Sequence, residues 1–213
     1  MIERVFIQEQ GNGRLLPESR DLLAELLRRG IPAQPFVRKQ LDRRQLPLAR
    51  TTLVAGEIPV VLAALRQIGI NPPEPADYPP CLAAFLHRRT WPSTLGEALY
   101  AFESGRLPRT FIKPRERMKR FTGFVLDGME GGSDRVAGVS RATPVWCSEV
   151  VGWISEFRVY VIRSKIVDVQ PYEGDAGRTL DLGVVERAIA VLAESPDARA
   201  AYGIDFGVLE DGR

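Results

Sequence analysis

The chain has 213 residues, enough for one large domain or for a small domain joined to a larger one. Hydrophobic residues make up 45% and charged residues 26%, near the averages for globular proteins, which excludes fibrous, collagen-like and disordered classes. The net charge of +2, from 29 basic and 27 acidic residues, does not by itself call for a nucleic-acid partner. Twenty-five of the 29 basic residues are arginine, so each lysine stands out. No apolar run approaches the roughly 18 residues that a bilayer span needs, and MIERVFIQEQ lacks a signal-peptide pattern. The expectation is a cytoplasmic protein with no membrane partner. Cys81 and Cys147 form no CxxC, and His87 is the sole histidine, which argues against a zinc site or a disulfide framework.

In chain order, Arg4 to Gln8 reads as a buried strand. Pro17 to Arg29 reads as a helix with Leu22, Leu23, Leu26 and Leu27 on one face, stopped by Gly30. A short strand, a basic loop (Arg38 to Arg44), a strand at Thr51 to Val54 and a helix over Glu57 to Gln67, closed by Gly69, complete a small α/β unit of parallel strands. The proline cluster Asn71 to Pro80 can neither continue a helix nor donate to a sheet, so a domain boundary is placed there, giving domains of 1–80 and 81–213. Leu82 to Arg88 suggests a short helix, and Ser93 is the expected cap of a second one carrying Leu95, Ala98, Leu99 and Phe102, ended by Gly105.

From Thr110 the period changes to two, predicting strands at 110–113, 121–126, 144–151, 156–163 and 165–172. The last two, split by little more than Ser164, predict a tight antiparallel hairpin. A helix over Asp181 to Ala193, a helical turn opened by Ser195-Pro196 and a strand over Ile204 to Leu209 follow.

Three segments suggest chemistry. Phe111-Ile-Lys113-Pro114 ends an apolar strand with an ammonium, and after a basic loop comes Phe121-Thr122-Gly123-Phe124; a point charge beside a small turn suits a phosphate chain. Seven basic residues between Arg106 and Arg120, against Glu116 alone, point to an anionic ligand, with a solvated arginine-rich face as the competing reading. Second, Glu149-Val150-Val151-Gly152 leads to Glu156, two carboxylates seven residues apart around an apolar bend. Backbone groups of such a bend can read adenine, and a carboxylate can hold two ribose hydroxyls. Glu156, Arg158, Tyr160 and Ile162 share one strand face, and Phe157, Val159 and Val161 the other. Third, Asp205 lies inside the apolar strand Tyr202 to Val208; a buried acid needs a partner, either a metal or an arginine. Tyr160, Tyr172, Trp146 and Trp153 are expected to be core or subunit-contact residues, with the oligomeric state open.

In this order the three segments resemble the ATP-grasp superfamily, and FIKP, FTGF, SEFRVYVI, DVQPYEGD and YGIDFGV resemble its clade named for two arginines and a lysine. The resemblance implies a mixed α+β and α/β architecture: an ATP-grasp fold of antiparallel sheets flanked by helices, preceded by a small α/β pre-ATP-grasp domain. It implies ATP and Mg2+ as cofactors, with Lys113, Thr122, Gly123, Glu149, Val150, Val151 and Glu156 holding nucleotide. Asp205 would hold the metal, and Lys113 and Arg158 would be catalytic. Arg158 matches one named arginine; Arg163 and Arg178 are candidates for the other. The implied activity is an ATP-dependent ligase joining a carboxylate to an amine or thiol through an acyl phosphate, on a small carboxylate or peptide-like substrate. The family's Glu-x-Asn metal strand is expected beyond the final Asp-Gly turn. Its absence from this sequence leaves a truncated chain, a substituting residue or lost catalysis as alternatives; it favours a second reading, an inactive ATP-grasp scaffold serving as a binding or regulatory module, and leads to an expectation of weak MgATP binding. A third reading, nucleic-acid binding by residues 106–120, would predict a steep loss of affinity with salt.

Overall fold

A computed structural model describes residues 2–72, 76–115, 121–128, 134–175 and 177–210. The chain divides into two compact units, Met1–Glu74 and Pro75–Arg213, with the division inside the proline cluster.

The first unit runs β1 (Arg4–Gln8), α1 (Pro17–Arg28), β2 (Ala33–Phe36), α2 (Arg38–Asp42), β3 (Thr52–Ala55) and α3 (Ile58–Gln67). Its parallel sheet has the order β2-β1-β3. The central strand β1 is buried through Val5, Phe6 and Ile7, because a strand covered on both faces must be continuously apolar. Pro17 occupies the first turn of α1, where its missing N–H costs nothing. Gly30 and Gly69 stop α1 and α3 at positive φ (67° and 73°), a conformation that glycine takes without steric cost. Two expectations fail in this unit. The segment Arg38 to Arg44 is not a loop: its first five residues are helical, because Leu41 is fully buried against Phe6 and Phe36 and anchors one face. Leu27, expected on the apolar face of α1, is 58% exposed, while Leu26 is buried. A crevice of about 360 Å3 opens at the carboxyl ends of β1 and β3, lined by Gln8, Ala55, Gly56 and Glu57 among others.

The second unit opens with a 3-10 turn over Pro80–Phe85, then β4 (Thr90–Thr94), α4 (Leu95–Glu103), β5 (Thr110–Pro114), β6 (Phe124–Leu126), β7 (Pro144–Glu149), β8 (Trp153–Ile162), β9 (Lys165–Gly174), α5 (Leu182–Ala193) and β10 (Ala201–Leu209). Two antiparallel sheets result, β4-β7-β5-β6 and β10-β8-β9. Helix α4 covers one face of the first sheet through Leu95, Ala98 and Leu99, which pack on Ile112, Val145 and Cys147. Helix α5 covers one face of the second, where Val185 and Ile189 meet Val159 and Val161. The opposite face of each sheet carries the polar residues.

Strand β4 lies outside the predicted elements; Pro92 disguises it, and β4 is an edge strand, the place in a sheet that tolerates proline. Thr94, not Ser93, caps α4: its Oγ1 accepts from the Glu97 N–H (3.3 Å), and the Glu97 carboxylate accepts from Thr94 N–H (3.1 Å) and Ser93 Oγ (3.2 Å). The strand expected over 121–126 is confined to Phe124–Leu126, and Ser195-Pro196 forms turns rather than helix. The basic residues Arg117, Lys119 and Arg120, with Glu116, fall outside the described residues. No helix among the described residues is long and apolar enough to cross a membrane.

The β8–β9 hairpin turns on Arg163 and Ser164, both at positive φ (49° and 60°). Two consecutive left-handed residues match a type I′ turn, a site that favours Asn-Gly. Ser164→Gly relieves that conformation and is expected to stabilise the chain by about 0.5–1 kcal/mol. Urea unfolding of the two proteins checks it; an unchanged or lowered midpoint would show the turn to be unstrained.

Candidate functional site

Strand alternation decides which side chains reach the polar faces. On β5, Thr110, Ile112 and Pro114 point to the buried side, so Phe111 and Lys113 project from the opposite face. Register places Lys113 across from Trp146 and Phe111 across from Ser148 on β7. Gly123 lies against this face: a Cβ there would come within 2.6 Å of the Phe111 ring and 3.1 Å of Lys113 Cβ, so the close approach requires glycine. Thr122 is exposed beside it. The Lys113 ammonium is 3.0 Å from Asp77 Oδ1 and 4.3 Å from the centre of the Tyr78 ring.

On the second sheet, Glu156, Arg158 and Tyr160 face away from α5. Asp205 of β10 is registered with Arg158, and Gly207 with Glu156. Asp205 corrects an expectation, because its side chain is 38% exposed rather than buried. Both its oxygens accept from Arg158, Oδ1 from Nε at 2.7 Å and Oδ2 from Nη2 at 2.9 Å. The hydrogen bond to Asp205 raises the guanidinium's pKa, so Arg158 stays charged, and it also stacks at 4.5 Å on Tyr172. The arginine partner that the sequence allows Asp205 is Arg158.

Glu149 is exposed; its carboxylate accepts from the Arg89 N–H at 2.9 Å, and its own N–H donates to the Arg89 carbonyl. Val150 and Val151 form the half-buried bend that leads into β8. Glu156 is half-buried and its carboxyl is pushed above the ordinary glutamate range, first by burial and then by the charges of Asp205 and Glu173, against the pull of Arg158 and Arg88.

Sequence reasoning misses Arg88 and Tyr78. The Arg88 guanidinium lies 4.9 Å from the Trp153 ring and 5.9 Å from that of Tyr78, and its Nε is buried without a hydrogen-bond partner among the described residues. Tyr78 in turn meets Trp146 edge-on at 5.3 Å. A relay of contacts therefore runs from Lys113 on one sheet through Tyr78 and Arg88 to Trp153 on the other, where the Arg88 charge also acts on Glu156. Trp153 is held by Gly207, where any Cβ would strike its ring at 2.5 Å. No local motif announces Arg88; only tertiary placement separates it from the other arginines. The two candidates for a second arginine lie elsewhere: Arg163 is in the hairpin turn, and Arg178 pairs with Asp175 at 3.5 Å. Tyr160, Tyr172 and Trp153, expected in the core or at a contact, are 42%, 58% and 41% exposed. Burial pushes the Cys147 thiol up to about 11, which leaves it no thiolate at neutral pH.

Two antiparallel sheets, each with a helix on one face and a polar residue set on the other, preceded in the chain by a parallel α/β unit, define the ATP-grasp fold. Solved ATP-grasp structures share it. The RimK domain ATP-grasp protein from Sphaerobacter thermophilus DSM 20745 has a TM-score of 0.59 at 18% identity, covering 98% of this chain and 87% of that one. The D-alanine–D-alanine ligase from Bacillus anthracis complexed with ATP has 0.59 at 12%, covering 99% and 83%. The ATP-grasp ligase PsnB complexed with minimal precursor has 0.53 at 14%, covering 100% and 88%. Residues 85–213 match the ATP-grasp domain of family 2 in the clade named for two arginines and a lysine, and the chain belongs to that family. No curated protein matches the sequence.

The Glu156 environment makes stability depend on pH. A carboxyl whose folded pKa is raised is destabilising when ionised, so its contribution falls as pH rises from the ordinary glutamate value through the raised one. Glu156→Gln is expected to remove that fall and raise the melting temperature at neutral pH. Melts of both proteins from about pH 4 to about pH 8 test it; parallel curves would mean that Glu156 is solvated.

Proposed function

We propose that the chain binds ATP with Mg2+ in the cleft of its second unit and works as an ATP-dependent ligase that activates a carboxylate as an acyl phosphate. The observation that carries this reading is the arrangement of charge on the two polar faces, in a chain of the ATP-grasp family. Lys113 is on one face, and Glu156, Arg158 and Asp205 are together on the other. The names of two structural relatives, a D-alanine–D-alanine ligase and an ATP-grasp ligase solved with a minimal precursor, fit a small carboxylate or peptide-like substrate. The first unit takes the place of a pre-ATP-grasp domain.

In this reading Lys113 neutralises the phosphoryl group in transfer, and the Thr122-Gly123 turn lets the backbone approach the phosphates. Backbone groups of Glu149, Val150 and Val151 read adenine, and Glu156 holds the ribose hydroxyls. Arg158 stabilises the acyl phosphate. A substrate carboxylate oxygen takes the γ-phosphoryl group and ADP departs. An amine nitrogen or thiol sulfur then attacks the acyl carbon, inorganic phosphate leaves with the electron pair, and the nucleophile loses its proton.

Asp205 suits Mg2+ as a hard oxygen donor, and the negative field of Asp205 and Glu173 at Glu156 is one that a cation would relieve. A single carboxylate with phosphate and water completing the shell is within the habit of this ion, although no group of three metal-ligating side chains occurs among the described residues. Mg2+ would supply neutralisation of phosphate charge, and Arg158 must release at least one Asp205 oxygen to admit it.

Thermal melting with MgATP tests the site. At about 100 times its dissociation constant a ligand adds roughly 2.7 kcal/mol, so the wild-type midpoint is expected to rise clearly. Lys113→Ala loses the shift. Arg158→Ala keeps it but fails to release ADP with any of a panel of carboxylates that wild type accepts. A nucleotide shift that survives Lys113→Ala would remove Lys113 from the site.

A further inference from the structure

The segment opening the second unit lies on the residues assigned to nucleotide. Asp77 offers Lys113 a carboxylate oxygen at 3.0 Å, and the two side chains are only 28% and 22% exposed. Tyr78 lies against the same ammonium at 4.3 Å, meets Trp146 edge-on at 5.3 Å, and its hydroxyl is approached by Arg88 Nη2 at 3.5 Å. A carboxylate on the phosphate-binding lysine and an aromatic ring beside it present the chemistry of a nucleotide: an anion and a flat π-surface.

The packing is nevertheless incomplete. Arg88 Nε and Ser148 Oγ are both buried without hydrogen-bond partners among the described residues. Ser148 is 1% exposed and is registered across from Phe111, a neighbour of Lys113 on its strand face. Buried donors left unpaired are costly, so an occupant able to pair with Arg88 Nε gains an advantage over Tyr78, which lies beside that guanidinium now.

We propose that Asp77 and Tyr78 form an internal plug of the nucleotide cleft, which ATP must displace from Lys113 before it can bind productively. The inference rests on the reading of Lys113 as a nucleotide ligand. The apparent affinity is the intrinsic affinity reduced by the fraction of molecules whose cleft is open. A partly exposed ion pair is weak, so displacement is a modest toll that keeps the cleft closed without abolishing binding.

Titration calorimetry of the full chain with MgATP tests this, for wild type, Asp77→Asn, Tyr78→Ala and Lys113→Ala, each checked for a normal melt. Asp77→Asn is expected to tighten binding about three- to five-fold, the size of one such ion pair. Tyr78→Ala, which keeps the carboxylate but removes the ring, is expected to act in the same direction. An independent readout needs no nucleotide: acetylation of Lys113, followed by mass spectrometry, is expected to be faster in Asp77→Asn than in wild type. Binding by Asp77→Asn alone, with none measurable in wild type, would support the plug most strongly. If both variants bind no tighter than wild type while Lys113→Ala abolishes binding, the plug is overturned and the nucleotide site stands. If Lys113→Ala binds as well as wild type, the nucleotide reading of Lys113 fails, and the plug with it.

Discussion

The period-two alternation of β8 is the constraint on which the second unit depends. Phe157, Val159 and Val161 are buried on the side that meets α5, and this fixes the strand's orientation. Glu156, Arg158 and Tyr160 must then project from the other face. Because β8 is paired on both sides, the same alternation is imposed on Asp205 of β10 and on Gln170 and Glu173 of β9. A one-residue slip would bury the charges and expose the valines, a change that the core forbids. On β5 the buried Thr110, Ile112 and Pro114 do the same for Lys113. The chemistry-bearing residues are thus held in place by the hydrophobic effect acting on their neighbours.

Charges gathered in this way must be neutralised when no ligand is bound, and the chain supplies its own counter-ions. Lys113 meets Asp77, Arg158 meets Asp205, and Glu149 meets Arg89. Each pair is partly solvated, so each is cheap to break and is open to exchange with a ligand of matching charge. Glu156 differs. It has no ion pair among the described residues and shares its surroundings with two other carboxylates, so its ionisation carries a cost that a cation or a pair of hydroxyl donors would lower.

Much of this is legible in the sequence where local signals and tertiary structure agree. β1, the β8–β9 hairpin and α5 are readable because alternation, short separation and helical spacing are local facts, although Asp181, read as the first helical residue, is the cap of α5. The apolar strand ending at Lys113 is readable for the same reason. Helix α2 is hidden because one buried leucine, Leu41, anchors it amid basic residues, and β4 because its pairing to β7 spans distant sequence. Asp205 reads as buried because an apolar strand sequence does not distinguish the covered face of an edge strand from its open one. Lys113 and Asp77 lie 36 residues apart, and nothing in either neighbourhood announces the other.

The skewed basic composition has a physical counterpart in these contacts. Guanidinium groups stack on rings at Arg88, Arg89, Arg106, Arg115, Arg135 and Arg158, and Arg158 also forms a two-pronged bond to a carboxylate. Those tasks use a planar, always-charged fork that lysine cannot imitate. Lys113 differs, a compact ammonium near the end of β5 that pairs with Asp77 and lies against the Tyr78 ring. An arginine at 113 would keep the charge but spread it over a rigid fork against Tyr78. Arginine thus takes the stacking and two-pronged contacts, while Lys113 sets a compact point charge on the polar face of β5.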